Sequence, residues 1–195
     1  MSATRRLALS VLIVGSIAWI AGQATYARFA VTTADGGNSL AAGTVAISDN
    51  DAGGAVVTLT NALPGNSALG CITVTYDGSL DSQVHLYGSV SGALAPYLNL
   101  KITRGTNGSS FSSCAGFTAD GTNYIGQGAG VVYNGDLSAF PSTYAAGIVD
   151  APGSAETWTS GESHAYQVQV TFKTGSVGAD GLAASATFTW EARNL

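Results

Sequence analysis

Few side chains in this sequence could do chemistry, and their spacing argues against most reactions. The two histidines, His85 and His164, stand 79 residues apart, and no H-E-x-x-H pair of helical zinc ligands occurs. His85 falls in the outward phase of an alternating segment and reads as a solvated side chain. Gly161-Glu162-Ser163-His164-Ala165 approximates the G-x-S-x-G nucleophile elbow, with Ala in the last place. That elbow needs a strand before it and a helix after it, to lift the serine above a sheet. Here a period-two segment follows, so the pentapeptide reads as a turn leading into a strand. Gly126-Gln127-Gly128-Ala129-Gly130 spaces its glycines like a phosphate cradle but has no βαβ unit around it. Ser48-Asp49-Asn50-Asp51-Ala52-Gly53-Gly54 offers oxygens to a calcium ion, yet lacks the later ligands of an EF-hand loop, including its distant Glu. A solvated turn between strands is the other reading. Asn107-Gly108-Ser109 fits an N-glycosylation acceptor. Trp158, Tyr124, Tyr133 and Tyr144 lie in loop-like stretches, where they either form a glycan-binding platform or cover the ends of a core. No catalytic residue, metal-ligand set or cofactor site emerges, and the chain reads as a non-enzyme.

The other reactive pair is Cys71 and Cys114, 43 residues apart. Their reading depends on compartment, and the N-terminus speaks to that. Arg5 and Arg6 precede an almost unbroken apolar run, Leu7 to Gly22, and small residues follow up to Ala27. Basic flank, apolar run and an A-x-A-like exit describe a secretory signal over residues 1–27, cut between Ala27 and Arg28, with a cut after Ala24 as the alternative. An uncleaved membrane anchor is the competing reading, although the run is short for a span. The twin-arginine pattern is mostly missing from TRRLAL. In an oxidising compartment Cys71 and Cys114 read first as a disulfide, and otherwise as two buried thiols. Two cysteines without a nearby histidine pair do not make a zinc site.

Elements that could position these residues are strands. Of 195 residues, 46% are hydrophobic and only 10% are charged, which excludes a disordered, charge-rich chain. Gly supplies 26 residues and Pro 4, without a Gly-X-Y period, so collagen and Pro-rich linkers are excluded too. Beyond residue 27 the chain keeps five basic residues, Arg28, Lys101, Arg104, Lys173 and Arg193, against 12 acidic ones, a net charge of −7. No basic stripe exists for nucleic acid or an anionic membrane. Period-two alternation recurs at Val56–Thr60, Ile72–Tyr76, Val84–Gly88, Leu98–Thr103, Tyr166–Phe172 and Ala186–Glu191. Turn residues punctuate it at Leu63-Pro64-Gly65-Asn66, Asp77-Gly78 and Arg104-Gly105. Gly105 to Gly130 reads mostly as loop, and Asp136 to Gly147 as room for one short helix, capped by Asp136, stopped by Gly147 and limited by Pro141. The expected fold is all-β: a two-sheet antiparallel sandwich of jelly-roll or immunoglobulin-like kind, with long loops, formed by residues 39–195 as a single domain.

Several of these segments, taken in order, resemble a known family. Ala24-Thr25-Tyr26-Ala27-Arg28-Phe29 stands at the signal exit. Leu40-Ala41-Ala42-Gly43-Thr44-Val45, Leu63-Pro64-Gly65-Asn66, Asp77-Gly78-Ser79-Leu80 and Phe188-Thr189-Trp190-Glu191-Ala192 follow. The set is similar to the TasA/camelysin family of exported bacterial proteins, over about residues 20–90 and 182–193. It departs at Asn66 and Gly78, and Cys71 and Cys114 are not a hallmark of that family. The resemblance implies a secreted jelly-roll subunit of biofilm-matrix or cell-surface fibres, with itself, a signal peptidase and an accessory matrix protein as partners, and no membrane contact after cleavage. It also implies that residues 28–38 act as a donor: a strand at Arg28–Thr33 followed by the flexible Ala34–Asn38 completes a sheet in the next copy. Phe29 and Val31, apolar and in phase, would be the anchors. The alternatives are a segment that pairs within its own domain, a monomeric module for cell-wall glycan, and, more remotely, a metal-dependent protease, a label some relatives carry.

Overall fold

The computed structural model describes residues 43–59, 62–107, 110–153 and 156–195. Among them nine strands form: β1 (Ile47–Asp49), β2 (Ser67–Tyr76), β3 (Ser82–Ser91), β4 (Leu98–Thr106), β5 (Thr118–Ala119), β6 (Val131–Asp136), β7 (Ile148–Val149), β8 (Ser163–Phe172) and β9 (Ser185–Asn194). They build two antiparallel sheets. One has the order β1-β2-β8-β4-β5, with β6 also paired to β4, and the other has the order β7-β3-β9. The fold is an all-β, two-sheet sandwich, as the alternation predicts, and β2 to β3 to β4 and β7 to β8 to β9 cross between sheets at each step.

The core lies between the sheets and takes alternate residues from each strand, because successive side chains of a strand point to opposite faces. Ile72, Val74 and Tyr76 come from β2, Val84 and Leu86 from β3, Leu100 and Ile102 from β4, and Tyr166 and Val168 from β8; all are buried. Each large apolar side chain so buried contributes about 1.5–3 kcal/mol. Gly88 on β3 has a steric reason: a Cβ there would lie 2.0 Å from the Thr187 carbonyl oxygen of β9.

Two local expectations are corrected. Residues 56–59 do not form a strand. The Val56 carbonyl oxygen sits 1.9 Å from where a Gly70 Cβ would be, so this segment crosses over the face of β2 instead of lying along its edge, where a ladder could form. The short helix over 136–147 is instead two single 3-10 turns, Leu137–Ala139 and Tyr144–Ala146. Phe140 between them is extended, as a residue before proline tends to be. Asp136 makes no side-chain cap and pairs with Lys173 at 2.7 Å. Gly147 does end the second turn. The Leu63–Asn66 turn is closed in both directions: Asn66 N–H donates to the Leu63 carbonyl at 2.9 Å, and Leu63 N–H to Asn66 Oδ1 at 2.8 Å.

Candidate functional site

β9 is a ten-residue strand with one partner. Among the described residues it pairs along its whole length with β3 and with no other strand. The direction of its free hydrogen-bonding groups follows from β3. Ser82 exchanges bonds with Trp158, Val84 O accepts from Asp150 N–H, and Gly88 N–H donates to Pro141 O, so the even residues of β3 point their backbone groups away from β9. The odd residues of β3 therefore bond the odd residues of β9, and Ala186, Phe188, Trp190 and Ala192 aim N–H and C=O at the open edge. These same four residues turn their side chains toward the core.

Beside that edge the described residues leave the sandwich open. An open cleft of about 800 Å³ runs between the sheets, floored by Ile72, Val170, Phe172, Ala186, Phe188 and Trp190. Among the described residues its charged lining side chains are Asp49, Asp51 and Asp180, with no Lys or Arg. Asp49 also borders a smaller hollow of about 200 Å³ with Phe188, Thr189 and Trp190, which places β1 against the β9 edge. Asp49 is held above its ordinary pKa by partial burial and by the neighbouring Asp51 carboxylate, despite the N–H of Asp51 donating to it at 3.0 Å. The indole N–H of Trp190 is buried without a hydrogen-bond partner among the described residues. A strand laid along β9 would meet four pairs of unfilled backbone groups and an apolar floor under alternate side chains.

A second cluster is polar and buried. Arg104, only 5% exposed, continues the inward phase of Leu98, Leu100 and Ile102. Its guanidinium donates to Asp150 at 3.0 Å, to Glu156 at 2.6 Å, to Tyr124 Oη at 2.9 Å and to Asp120. Burial opposes its charge, but Asp150, Asp120 and Glu156 reverse that and raise its pKa. Asp150 also accepts from Trp158 Nε1 at 2.8 Å and Tyr166 Oη at 2.6 Å. His164 Nε2 lies 2.9 Å from both Arg104 Nη2 and Glu162 Oε1. Burial pushes the Glu162 carboxyl up, and bonds from Thr159 N–H and His164 bring it below its ordinary value. The ligand atoms of Asp150, Glu156 and His164 fall within 4.8 Å of one another, close enough to share a metal ion. The sequence reading missed this grouping. The Arg104 guanidinium is bonded to or touching all three, so their positive partner is an arginine. This network joins the two sheets, because Asp150 follows β7 while Arg104 and Tyr166 lie on β4 and β8.

The remaining predicted residues separate clearly. Cys71 and Cys114 are disulfide-bonded, with Cα atoms 5.1 Å apart. Ala27, Arg28, Phe29 and Val31 lie outside the described residues. His85 is not the solvated side chain its phase predicts: its ring stacks on Tyr144, with centroids 4.1 Å apart, and Nδ1 lies 2.9 Å from the Tyr144 carbonyl. Arg193 stacks on Tyr144 as well, its Cζ 3.8 Å from the ring centroid, and two groups this close occupy opposite faces. Trp158 is fully buried, Tyr133 meets Phe140 edge-on, and Tyr124 is tied to Arg104 and Asp120. Trp158, Tyr124 and Tyr133 belong to or pack against the core, the second of the two readings offered for them, whereas Tyr144 lies over His85 and Arg193 on the outer face of the β3-β9 sheet. Glu162 sits in the turn before β8, and Ser163 and His164 begin that strand, as expected of the Gly161–Ala165 segment. Gly130 ends the glycine-spaced segment in the left-handed region (φ 71°), and its carbonyl accepts from Arg104 N–H at 2.7 Å. In the Ser48–Gly54 turn, Asp51 Oδ1 accepts from Gly53 N–H at 2.6 Å and Asn50 Oδ1 from Thr73 N–H at 3.0 Å, so its oxygens fold the turn and hold the edge of β2. No helix among the described residues is long and apolar enough to cross a membrane.

No protein-family model matches the chain, and no curated protein matches it either.

Proposed function

We propose that this chain is an exported, non-enzymatic structural subunit of extracellular or cell-surface fibres, in which the N-terminal strand of one copy adds to β9 of the next. The observation that carries the reading is the open β9 edge beside a cleft of mixed polarity with an apolar floor. Adding a strand there satisfies backbone groups and fills the cleft with alternate side chains, the general chemistry of strand addition. The segment Arg28-Phe29-Ala30-Val31-Thr32-Thr33 has the required alternation. A donor that leaves its own domain makes a heterologous contact that does not close, so it propagates. The disulfide agrees with an oxidising compartment, and the leader over residues 1–27 with export to it. The likeness to the TasA/camelysin family points the same way. The glycan-module reading is weaker, because Trp158 is buried and both faces of Tyr144 are covered.

The test is negative-stain electron microscopy of protein starting at Arg28 beside protein starting at Ser39. Filaments from the first and none from the second are expected. Monodisperse particles from both, across a wide concentration range, would sink the fibre reading.

A further inference from the structure

The cleft has two chemically different ends, and the difference bears on which way an incoming strand runs. At the Trp190 end, Asp49 and Asp51 stand on the cleft side and Glu191 on the outer face of β9. At the Ala186 end the charged residue of the lining is Asp180. The positive charges of the described residues are largely engaged elsewhere: Arg104 in its network, Lys173 with Asp136, and Arg193 with Glu191. Lys101 is on β4, opposite Asn134 and Gln169. The remaining basic residue of the chain beyond the leader is Arg28. Cleavage adds an α-amino group at Arg28 or, from the alternative site, three residues before it, so the tip of the segment carries two positive charges. Residues 39–195 hold four basic and eleven acidic residues, a net −7, so two such domains repel while the tip of one is attracted to the other.

On the fibre reading above, we infer that the donor strand lies antiparallel to β9, with its cationic tip at the Asp49–Asp51–Glu191 end of the cleft and its tail leaving past Ala186. Phase fixes which side chains face the cleft, and placing Arg28 beside Glu191 selects one register among those two residues apart. Side chains facing the cleft must stand opposite the even residues of β9, so Phe29, Val31 and Thr33 fall opposite Trp190, Phe188 and Ala186. Arg28 then stands opposite Glu191 on the outer face, a carboxylate that already accepts from Arg193 and Tyr87 at 2.7 Å each, so the net attraction at this end comes from Asp49 and Asp51. The α-amino group ends beside Asp49. The reverse direction loses this match. Asp35 lies seven residues beyond Arg28, roughly 23 Å along an extended chain, so a parallel strand would carry that carboxylate toward Asp49 and Asp51. The uncleaved chain lacks the α-amino charge and presents an apolar leader instead, so the same end of the cleft distinguishes processed from unprocessed protein.

Two measurements on the protein starting at Arg28 test this. Seeded elongation is followed for Arg28→Glu, for Asp49→Lys, and for both together, at low and at high salt. Arg28→Glu is expected to slow elongation about tenfold at low salt, the double variant to recover most of it, and salt to shrink the differences. Separately, Thr33→Cys is combined with Ala186→Cys or with Ala192→Cys and oxidised in preformed filaments. Intermolecular links are expected from the Ala186 combination. Efficient linking through Ala192 instead, or elongation indifferent to all three charge variants, would overturn the orientation and leave the fibre reading standing. If the unmodified protein forms no filaments, both fall together.

Discussion

Arg104 shows how a single residue can be legible in position and illegible in role. Its place in the inward phase of β4 follows from Leu98, Leu100 and Ile102, and His164 likewise continues the inward phase of Tyr166 and Val168. Their partners do not follow, because Asp120, Asp150 and Glu156 come from loops whose paths no periodicity encodes. Removing the cation leaves those carboxylates, one of them buried, without compensation. Arg104→Met is expected to destabilise the domain by about 3–5 kcal/mol in urea unfolding, because a buried carboxylate then lacks its counter-charge. Arg104→Lys should recover only part of this, since an ammonium cannot reproduce the fork that reaches Asp150, Glu156 and Asp120 together. Glu162 gives the network a pH dependence. Its carboxyl is lowered in the folded protein, so its contribution is complete above its unfolded value and fades as pH falls through the folded one. The midpoint of urea unfolding should therefore drop less for Glu162→Gln than for the parent protein between about pH 5 and pH 3. A parallel drop in the two proteins would remove Glu162 from the account.

At the scale of elements, the alternating segments predicted from sequence at β2, β3, β4, β8 and β9 are all strands, because a half-buried strand must alternate. The short pieces resisted. Val56–Leu59 has a strand's composition, yet it crosses over Gly70, a placement set by tertiary packing. The stretch beyond Asp136 has a helix's stop signal, but Pro141 and the bond from Gly88 N–H to the Pro141 carbonyl divide it into two turns. The disulfide ties the loop around Cys114 to β2, and Ser112 N–H donates to the Cys71 carbonyl at 2.9 Å, so one edge of β2 is covered by this strap, Asn50 and β1. Changing Cys71 and Cys114 together to serine should lower stability by about 4 kcal/mol, the chain-entropy value for a 43-residue separation. Thermal unfolding of the double variant and of reduced parent protein should agree; a loss under about 1 kcal/mol would mean that the strap holds without its covalent bond.

For the whole molecule, the informative contrast lies between the two long edges. That of β2 is covered, while the outer edge of the ten-residue β9 has no strand partner among the described residues. Natural sheets shield such edges, and on the fibre reading this one is covered by another copy of the chain. The sequence could not reveal this, since pairing partners and the unclosed side of a sandwich are matters of topology. It does show a short alternating segment, residues 28–33, that the fibre reading assigns to that edge. Phe29→Asp with Val31→Asp is expected to abolish filaments of the protein starting at Arg28 while leaving the thermal unfolding of residues 39–195 unchanged. Filaments that survive both changes would remove these two side chains as anchors. With its acidic excess, residual association of the double variant at low salt should be weak.

Trp158 and Trp190 are the two indoles beyond residue 27, and they occupy opposite environments. Trp158 is sealed, hydrogen-bonded to Asp150 and edge-on to His164, whereas Trp190 lines the cleft with its N–H unpartnered. The protein thus carries its own optical reporters. A chain settling into the cleft changes the emission of one indole and leaves the other as an internal reference. If copies assemble as proposed, their growth can then be timed in a cuvette without a dye, and Trp158→Phe isolates the signal that matters.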